Sequence, residues 1–309
     1  MNCQLKFGIC ADVHQDYFPG VCERLTVFVE EMNREKPDFI IQLGDFCQPN
    51  KRNEPFMDIW RSFNGPSYHV IGNHDTDDVI EMKRNVYTRD EVASFWGIQC
   101  PYYSFDLKGW HFVVLYGSDE ILPGIRGDGY PRYIGKKQRL WLMDDLEKTK
   151  LPVILFCHQG IDLDTDVGLI EGTYIRRILE LANEKAGWNK VQLFLSGHYH
   201  HDYHNIFNNI HYVQINSMSY QWLGERFSLD RFEPAVHKKY PILRCMAPYK
   251  DPLWALITVE NDGSLNIKGK ESSWVGPSPL EMGFDFNYEP YPSVPYISNR
   301  RIPRGNYGG

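Results

Sequence analysis

The sequence predicts a layered α/β fold, and three features predict it. Short, largely unalternating apolar runs of strand length recur along the chain, as in strands buried on both faces. Amphipathic helical patterns separate several of them, the arrangement of layered α/β domains. Two further segments read as antiparallel hairpins, so the sheet is mixed or there are two packed sheets.

Taken in order, "LKFGICADVH" (5–14) enters a strand at once and ends in Asp12 and His14. "VCERLTVFVEEMNREK" (21–36) places Leu25, Phe28, Val29 and Met32 on one helical face. "PDFIIQLGD" (37–45) ends in Gly44-Asp45, and "SYHVIGNHD" (67–75) in Gly72-Asn73-His74-Asp75. "YYSFDLKGWHFVVLYGSD" (102–119) folds back at Lys108-Gly109. "GKKQRLWLMDDLEKTK" (135–150) is helical, with Leu140, Trp141 and Leu146 predicted inside. "LPVILFCHQ" (151–159) ends in His158. "GTYIRRILELANEKAG" (172–187) has Thr173 as cap and Gly187 as stop. "VQLFLSGHYH" (191–200) ends in His198 and His200. "HYVQINSMS" (211–219) and a hairpin over 253–270, turning at Asn261-Asp262-Gly263, complete the strands. The expected organisation is one domain over 1–271, elaborated at 117–135 and 217–252, with 272–309 an extended tail packed on the domain or partly disordered.

Bulk properties narrow the function. The chain has 309 residues and a net charge of −7, against the basic face of a generic nucleic-acid binder. A local cationic centre still permits an anionic substrate. The 7 cysteines are odd in number and share no spacing, so they read as reduced thiols; Cys157 alternates away from His158 into packing. No apolar run reaches membrane-spanning length and the N-terminus carries no signal-peptide pattern. A cytoplasmic location is favoured, with a periplasmic or secreted one open if a leader was removed.

The runs share an ending: metal-binding residue types sit just past five strand ends, where sites form in open α/β sheets. Asp12, His14, Asp45, Asn73, His74, His158, His198 and His200 can therefore converge. Gly44, Gly72 and Gly197 allow sharp exits and close backbone approach. Asp12 and His14, two apart, are expected on one side of an extended strand end, as are His198 and His200. Mixed N/O donors suit Mn, Fe or Zn better than Ca or Mg, and the lack of thiolates argues against a structural zinc.

A lone Asp-x-His or Gly-Asp means little. The ordered set Asp-x-His, Gly-Asp, Gly-Asn-His-Asp, His, Gly-His-x-His resembles the calcineurin-like metallophosphoesterases over residues 6 to about 216. The resemblance implies a four-layer α/β/β/α sandwich with mixed β-sheets. It makes Asp12, His14 and His200 ligands of one metal, Asn73, His158 and His198 ligands of another, and Asp45 the bridge. It makes His74 the group that stabilises or protonates the leaving oxygen, with Asp75 expected to hold its imidazole. Two divalent ions about 3.5–4 Å apart would activate a bridging hydroxide. Counting charges leaves the site near +1.

That implies a metal-dependent phosphohydrolase with a small phosphorylated substrate, a phosphodiester favoured. A nucleotide pyrophosphatase on an ADP-ribose-like substrate and a phosphomonoesterase are the alternatives, and an inactive scaffold is the rival from another class. The natural substrate and oligomeric state stay open. Secondary readings put Gln15, Asp16 and His201 behind the ligands, Gln48 near substrate or at the surface, His204 in a loop, and Arg126 and Arg132 beside a phosphate or in solvent.

Overall fold

The computed structural model describes residues 4–79, 82–119, 129–163, 168–284 and 291–305. Strands β1 (Leu5–Cys10), β2 (Phe39–Gln42) and β3 (Ser67–His69) run parallel. A second group comprises β4 (Tyr103–Leu107), β5 (Trp110–Val114), β6 (Val153–Cys157), β7 (Val191–Ser196), β8 (Tyr203–Phe207) and β9 (Ile210–Gln214). A short ribbon pairs β10 (Tyr220–Trp222) with β11 (Met246–Pro248). Then follow β12 (Ala255–Val259), β13 (Leu265–Gly269) and β14 (Arg300–Ile302). They form two six-stranded mixed sheets, ordered β14-β13-β12-β1-β2-β3 and β4-β5-β6-β7-β9-β8.

The inner faces of the two sheets share one core. Phe7 stacks on Phe39 at 4.8 Å and meets Phe112 and Phe156 of the other sheet edge-on, at 6.0 and 5.9 Å. Helices α1 (Val21–Glu35), α2 (Glu54–Arg61) and α3 (Arg89–Trp96) cover the outer face of the first sheet. Helices α4 (Lys136–Lys148) and α5 (Gly172–Ala186) cover that of the second, while α6 (Pro234–Lys239) lies between β10 and β11 in the chain. The order is therefore α/β/β/α, the expected fold class.

Local chemistry explains two of the element ends that matter here. The β4–β5 turn puts Lys108 and Gly109 at φ 48° and 80°, matching the right-handed twist of the strands. Gly187 stops α5 in the left-handed region at φ 74°. Thr173, expected as the α5 cap, lies inside the helix instead; Glu171 precedes the first turn in left-handed backbone. In α4, Leu142 rather than Leu140 faces the core. Gln138, Leu142 and Leu146 form its buried stripe, because Gln138 bonds the Tyr116 backbone and so anchors that face inward. Residues 291–305 run along the domain and supply β14 as an edge strand on β13.

On the second sheet, buried His111 is held between two carboxylates: Nδ1 is 2.6 Å from Asp106 and Nε2 2.8 Å from Asp145. Burial disfavours its charge, but these hydrogen bonds outweigh that and raise its pKa above the ordinary histidine value. A raised folded-state pKa stabilises the fold fully below the unfolded value. The contribution is lost as pH climbs through the folded value. Urea titrations should show the stability gap between wild type and His111→Gln shrinking from about pH 6 upward; a constant gap would contradict the assigned charge state.

Candidate metal centre

All the candidate ligands lie just past the C-terminal ends of strands: β1, β2 and β3, parallel in one sheet, and β6 and β7, parallel in the other. Five of them share a backbone feature that sequence spacing does not convey. Asp12, His14, Asp45, His198 and His200 have φ of 51°, 58°, 51°, 79° and 56°. This left-handed region is uncommon for side-chain-bearing residues and costs of order 1 kcal/mol or more each. Local strain at five adjoining positions is sustained only by surroundings that over-determine it, a pattern typical of functional sites.

The feature also corrects the geometric expectation. Asp12–His14 and His198–His200 are not extended strand ends with alternating faces; β1 stops at Cys10 and β7 at Ser196. The side chains converge because each backbone turns sharply after its strand. Glycines make room for this. A Cβ on Gly44, itself at φ 98°, would lie 2.5 Å from His158 Nδ1. One on Gly72 would overlap the Asp45 carboxylate, and one on Gly197 would come within 2.6 Å of Asp12 Oδ2.

Two donor groups result, each compact enough to hold one ion: Asp12, His14 and His200, and Asp45, His158 and His198. In the first, His200 Nε2 lies 3.3 Å from Asp12 Oδ1 and 3.2 Å from His14 Nε2. In the second, His158 Nε2 lies 3.2 Å from Asp45 Oδ2, 3.1 Å from Asn73 Oδ1 and 3.1 Å from His198 Nδ1. Asp45 Oδ2 also reaches within 3.8 Å of His14 Nε2, so one carboxylate oxygen lies between the groups.

The donor chemistry fits cations. His158 Nδ1–H donates to the Leu43 carbonyl and His200 Nδ1–H to that of Tyr220, both at 2.8 Å. In neutral rings this leaves Nε2 as a bare lone pair, facing other acceptors. Such a cluster holds together only around a proton or a cation. Burial opposes charge on His158, yet Asp45, hydrogen-bonded to it, and Asp12 raise its pKa to about 9. His14 and His198 go the other way, lowered by burial and by neighbouring imidazoles.

Beside the two groups stands His74, in a single 3-10 turn after Asn73, its ring centroid 5.4 Å from that of His14. Asp75 does not hold it, contrary to expectation. Asp75 instead accepts three backbone N–H groups, from Asp45 (3.0 Å), Phe46 (2.6 Å) and Gly72 (2.7 Å). It ties the β2 and β3 exits together. The partner of His74 is Asp77: Nδ1–H donates to its Oδ2 at 2.8 Å. The hydroxyls of Tyr17 and Tyr130 donate to the same oxygen at 2.8 and 2.6 Å. Asp77 is three residues beyond His74, and in a 3-10 turn that spacing stacks the two side chains. Partial burial opposes a charge on His74, but Asp45 and Asp77 raise its pKa overall.

The remaining sequence candidates fall into place around this centre. Asp16 pairs with Arg52 at 2.7 Å and accepts the Gln48 backbone N–H. Gln48 is buried and accepts from Arg52 at 3.0 Å, away from solvent. Gln15 faces Cys22, and Cys157 packs in the core under α4 and α5. His201 is buried, its pKa lowered to about 4 by burial. His204 is not in a loop: it lies on β8, with Nε2 2.8 Å from His211 Nδ1 on β9. The Arg132 guanidinium donates to the Gly168 carbonyl at 2.8 Å. Arg126 and much of the 117–135 loop lie outside the described residues. Tyr220, the first residue of β10, packs on the rings of His14 and His200 at 5.0 and 4.9 Å.

Comparison with known proteins places this geometry. The calcineurin-like phosphoesterase profile matches residues 5–202, and the chain belongs to that family, whose members are metal-dependent phosphoric ester hydrolases with a dinuclear centre. A 3′,5′-cyclic-nucleotide phosphodiesterase from Nostoc sp. is 22% identical over 240 residues, 77% of this chain and 80% of the relative. A dimetal phosphatase from Danio rerio superposes with a TM-score of 0.62 at 15% identity, covering 89% of this chain and 99% of the other. GAP50, the anchor in the inner membrane complex of Plasmodium, superposes at 0.50 with 15% identity, over 86% and 84% of the two chains. A phosphatase and an anchor on one architecture show that the fold alone does not settle the chemistry.

Proposed function

We propose that the chain hydrolyses small phosphodiesters, using two cations. Asp12, His14 and His200 would hold one ion, Asn73, His158 and His198 the other, and Asp45 both. The observation that carries this reading is the shared carboxylate. Asp45 Oδ2 stands 3.8 Å from His14 Nε2 and 3.2 Å from His158 Nε2, as one oxygen serving two ions must. Donors of mixed nitrogen and oxygen favour Mn, Fe or Zn. When bound, the ions supply an activated water and neutralise the non-bridging phosphoryl oxygens.

The chain's own residues do the rest. Asp45 Oδ1 accepts the His74 backbone N–H at 2.8 Å, so the bridge and the proposed acid are set by one contact. Asp77 fixes Nδ1–H, which leaves Nε2 on the opposite edge of the His74 ring to meet the leaving oxygen. A centre near +1 complements the single charge of a diester, and the Nostoc relative is named for diester cleavage.

The test compares bis-p-nitrophenyl phosphate with p-nitrophenyl phosphate in added manganese. A higher kcat/KM for the diester is expected. Preference for the monoester would sink the diester assignment, and no turnover of either by a metal-loaded chain would sink the hydrolytic one.

A further inference from the structure

The C-terminal segment lies outside the family-matched span, which ends at residue 202. Yet it is hooked directly onto the loop that carries two candidate ligands. Asp202 follows His200 by two residues, and its side chain is almost wholly enclosed. Arg300 grips it in a bidentate pair, Nη1 to Oδ1 and Nη2 to Oδ2, both at 2.8 Å. Ser298 adds its backbone N–H at 3.0 Å and its hydroxyl at 2.5 Å. Four donors from one strap therefore converge on one carboxylate.

A second hook lies nearby. Asn216 Nδ2 donates to the carbonyls of Val294 and Tyr296, at 2.7 and 3.1 Å. Its Oδ1 accepts the Ser217 N–H at 2.8 Å. The Ser217 hydroxyl donates to the Asp12 carbonyl at 2.9 Å. The Tyr220 N–H donates to that same hydroxyl at 3.3 Å, and the Tyr220 carbonyl receives His200 Nδ1–H. The second hook thus ends on Asp12 and His200, members of the first donor group, and the first ends on Asp202, two residues past His200. Neither ends on Asp45 or His158, whose settings come from Asp75 and the Leu43 carbonyl; His198, the second-group ligand in the hooked loop, lies four residues from Asp202, and its backbone N–H donates to the Asp12 carboxylate.

We infer that the strap 291–300 is a built-in support that selectively sets the affinity of the Asp12–His14–His200 cation site, with Arg300 as its positioning residue. Asp12 and His200 both sit in left-handed backbone, so they relax once external contacts are removed. Side chains that orient ligands from outside commonly change metal affinity by 10–100-fold. The inference rests on the two-cation reading above, and its test separates the two.

The experiment uses the full chain freed of metal by chelation and titrated with Mn2+ by calorimetry, in two one-site backgrounds. His158→Ala leaves only the Asp12–His14–His200 group complete; His14→Ala leaves only the other. Arg300→Ala should weaken Mn2+ binding about tenfold or more in the first background and little in the second. Ser298→Ala, a milder cut that folds if Arg300→Ala does not, should show the same selectivity with a smaller loss. Arg301→Ala is the control, because that neighbour turns outward to Asp262 and should change neither. Equal weakening in both backgrounds, or none in either, would overturn the strap. A wild-type chain that binds fewer than two ions would overturn the two-cation reading itself.

Discussion

Asp45→Asn is expected to strip both cations together and abolish measurable turnover. The exchange is nearly isosteric, so packing survives it. Oδ1 can still accept the His74 N–H, which keeps the loop in place. The amide nitrogen then takes the Oδ2 position, between His14 Nε2 and His158 Nε2. There it presents two protons where lone pairs met, and one negative charge is gone. Each proposed ion loses a ligand and faces a dipole of the wrong sign, so affinity should fall at least about 100-fold at both sites. Metal content after dialysis, read by mass spectrometry beside the far-UV circular dichroism spectrum, checks this. A folded variant that keeps one ion would contradict the bridge; one that keeps two would remove Asp45 from the centre.

How much of this was legible in the sequence follows from which interactions are local. Strand ends were legible because each apolar run stops at a polar ligand type, and Asp12, Asp45, His158 and His198 stand within a few residues of those stops. A glycine marks the hairpin turn at Lys108-Gly109, whereas the equivalent Asn208-Asn209 turn carries none. Those residues adopt φ of 48° and 60° and place His204 on a strand. Helices α2 and α3 are eight residues each, too short for a clear apolar period, and only the Thr88–Glu91 capping box of α3 could have marked it. The orientation of the ligands was illegible for a physical reason. Alternation presumes extended backbone, and Asp12, His14, His198 and His200 leave that region altogether. The Asp75 assignment failed similarly: adjacency in sequence suggested contact with His74, while a 3-10 turn brings i and i+3 together and so selects Asp77. The strap contacts join Asp202 to Arg300 across nearly a hundred positions, with no local signature at either end.

His74→Ala should leave metal content unchanged and cut turnover of an alkyl phosphodiester about 10²-fold or more. Its imidazole ring is about a third exposed, at 31%, so truncation leaves no sealed cavity and the fold should tolerate it. The size of the loss should track the leaving group. An alkoxide needs a proton as the P–O bond breaks, whereas p-nitrophenolate departs well without one. The variant should therefore be impaired much less on bis-p-nitrophenyl phosphate than on an alkyl ester, and the ratio of the two losses is the diagnostic. Asp77→Asn should move the same ratio in the same direction by a smaller amount. It removes the charge that favours the imidazolium, while the Tyr17 and Tyr130 hydroxyls still line the pocket. An equal loss on both esters would assign His74 to charge stabilisation rather than proton donation. Near-normal rates on both would remove it from the reaction.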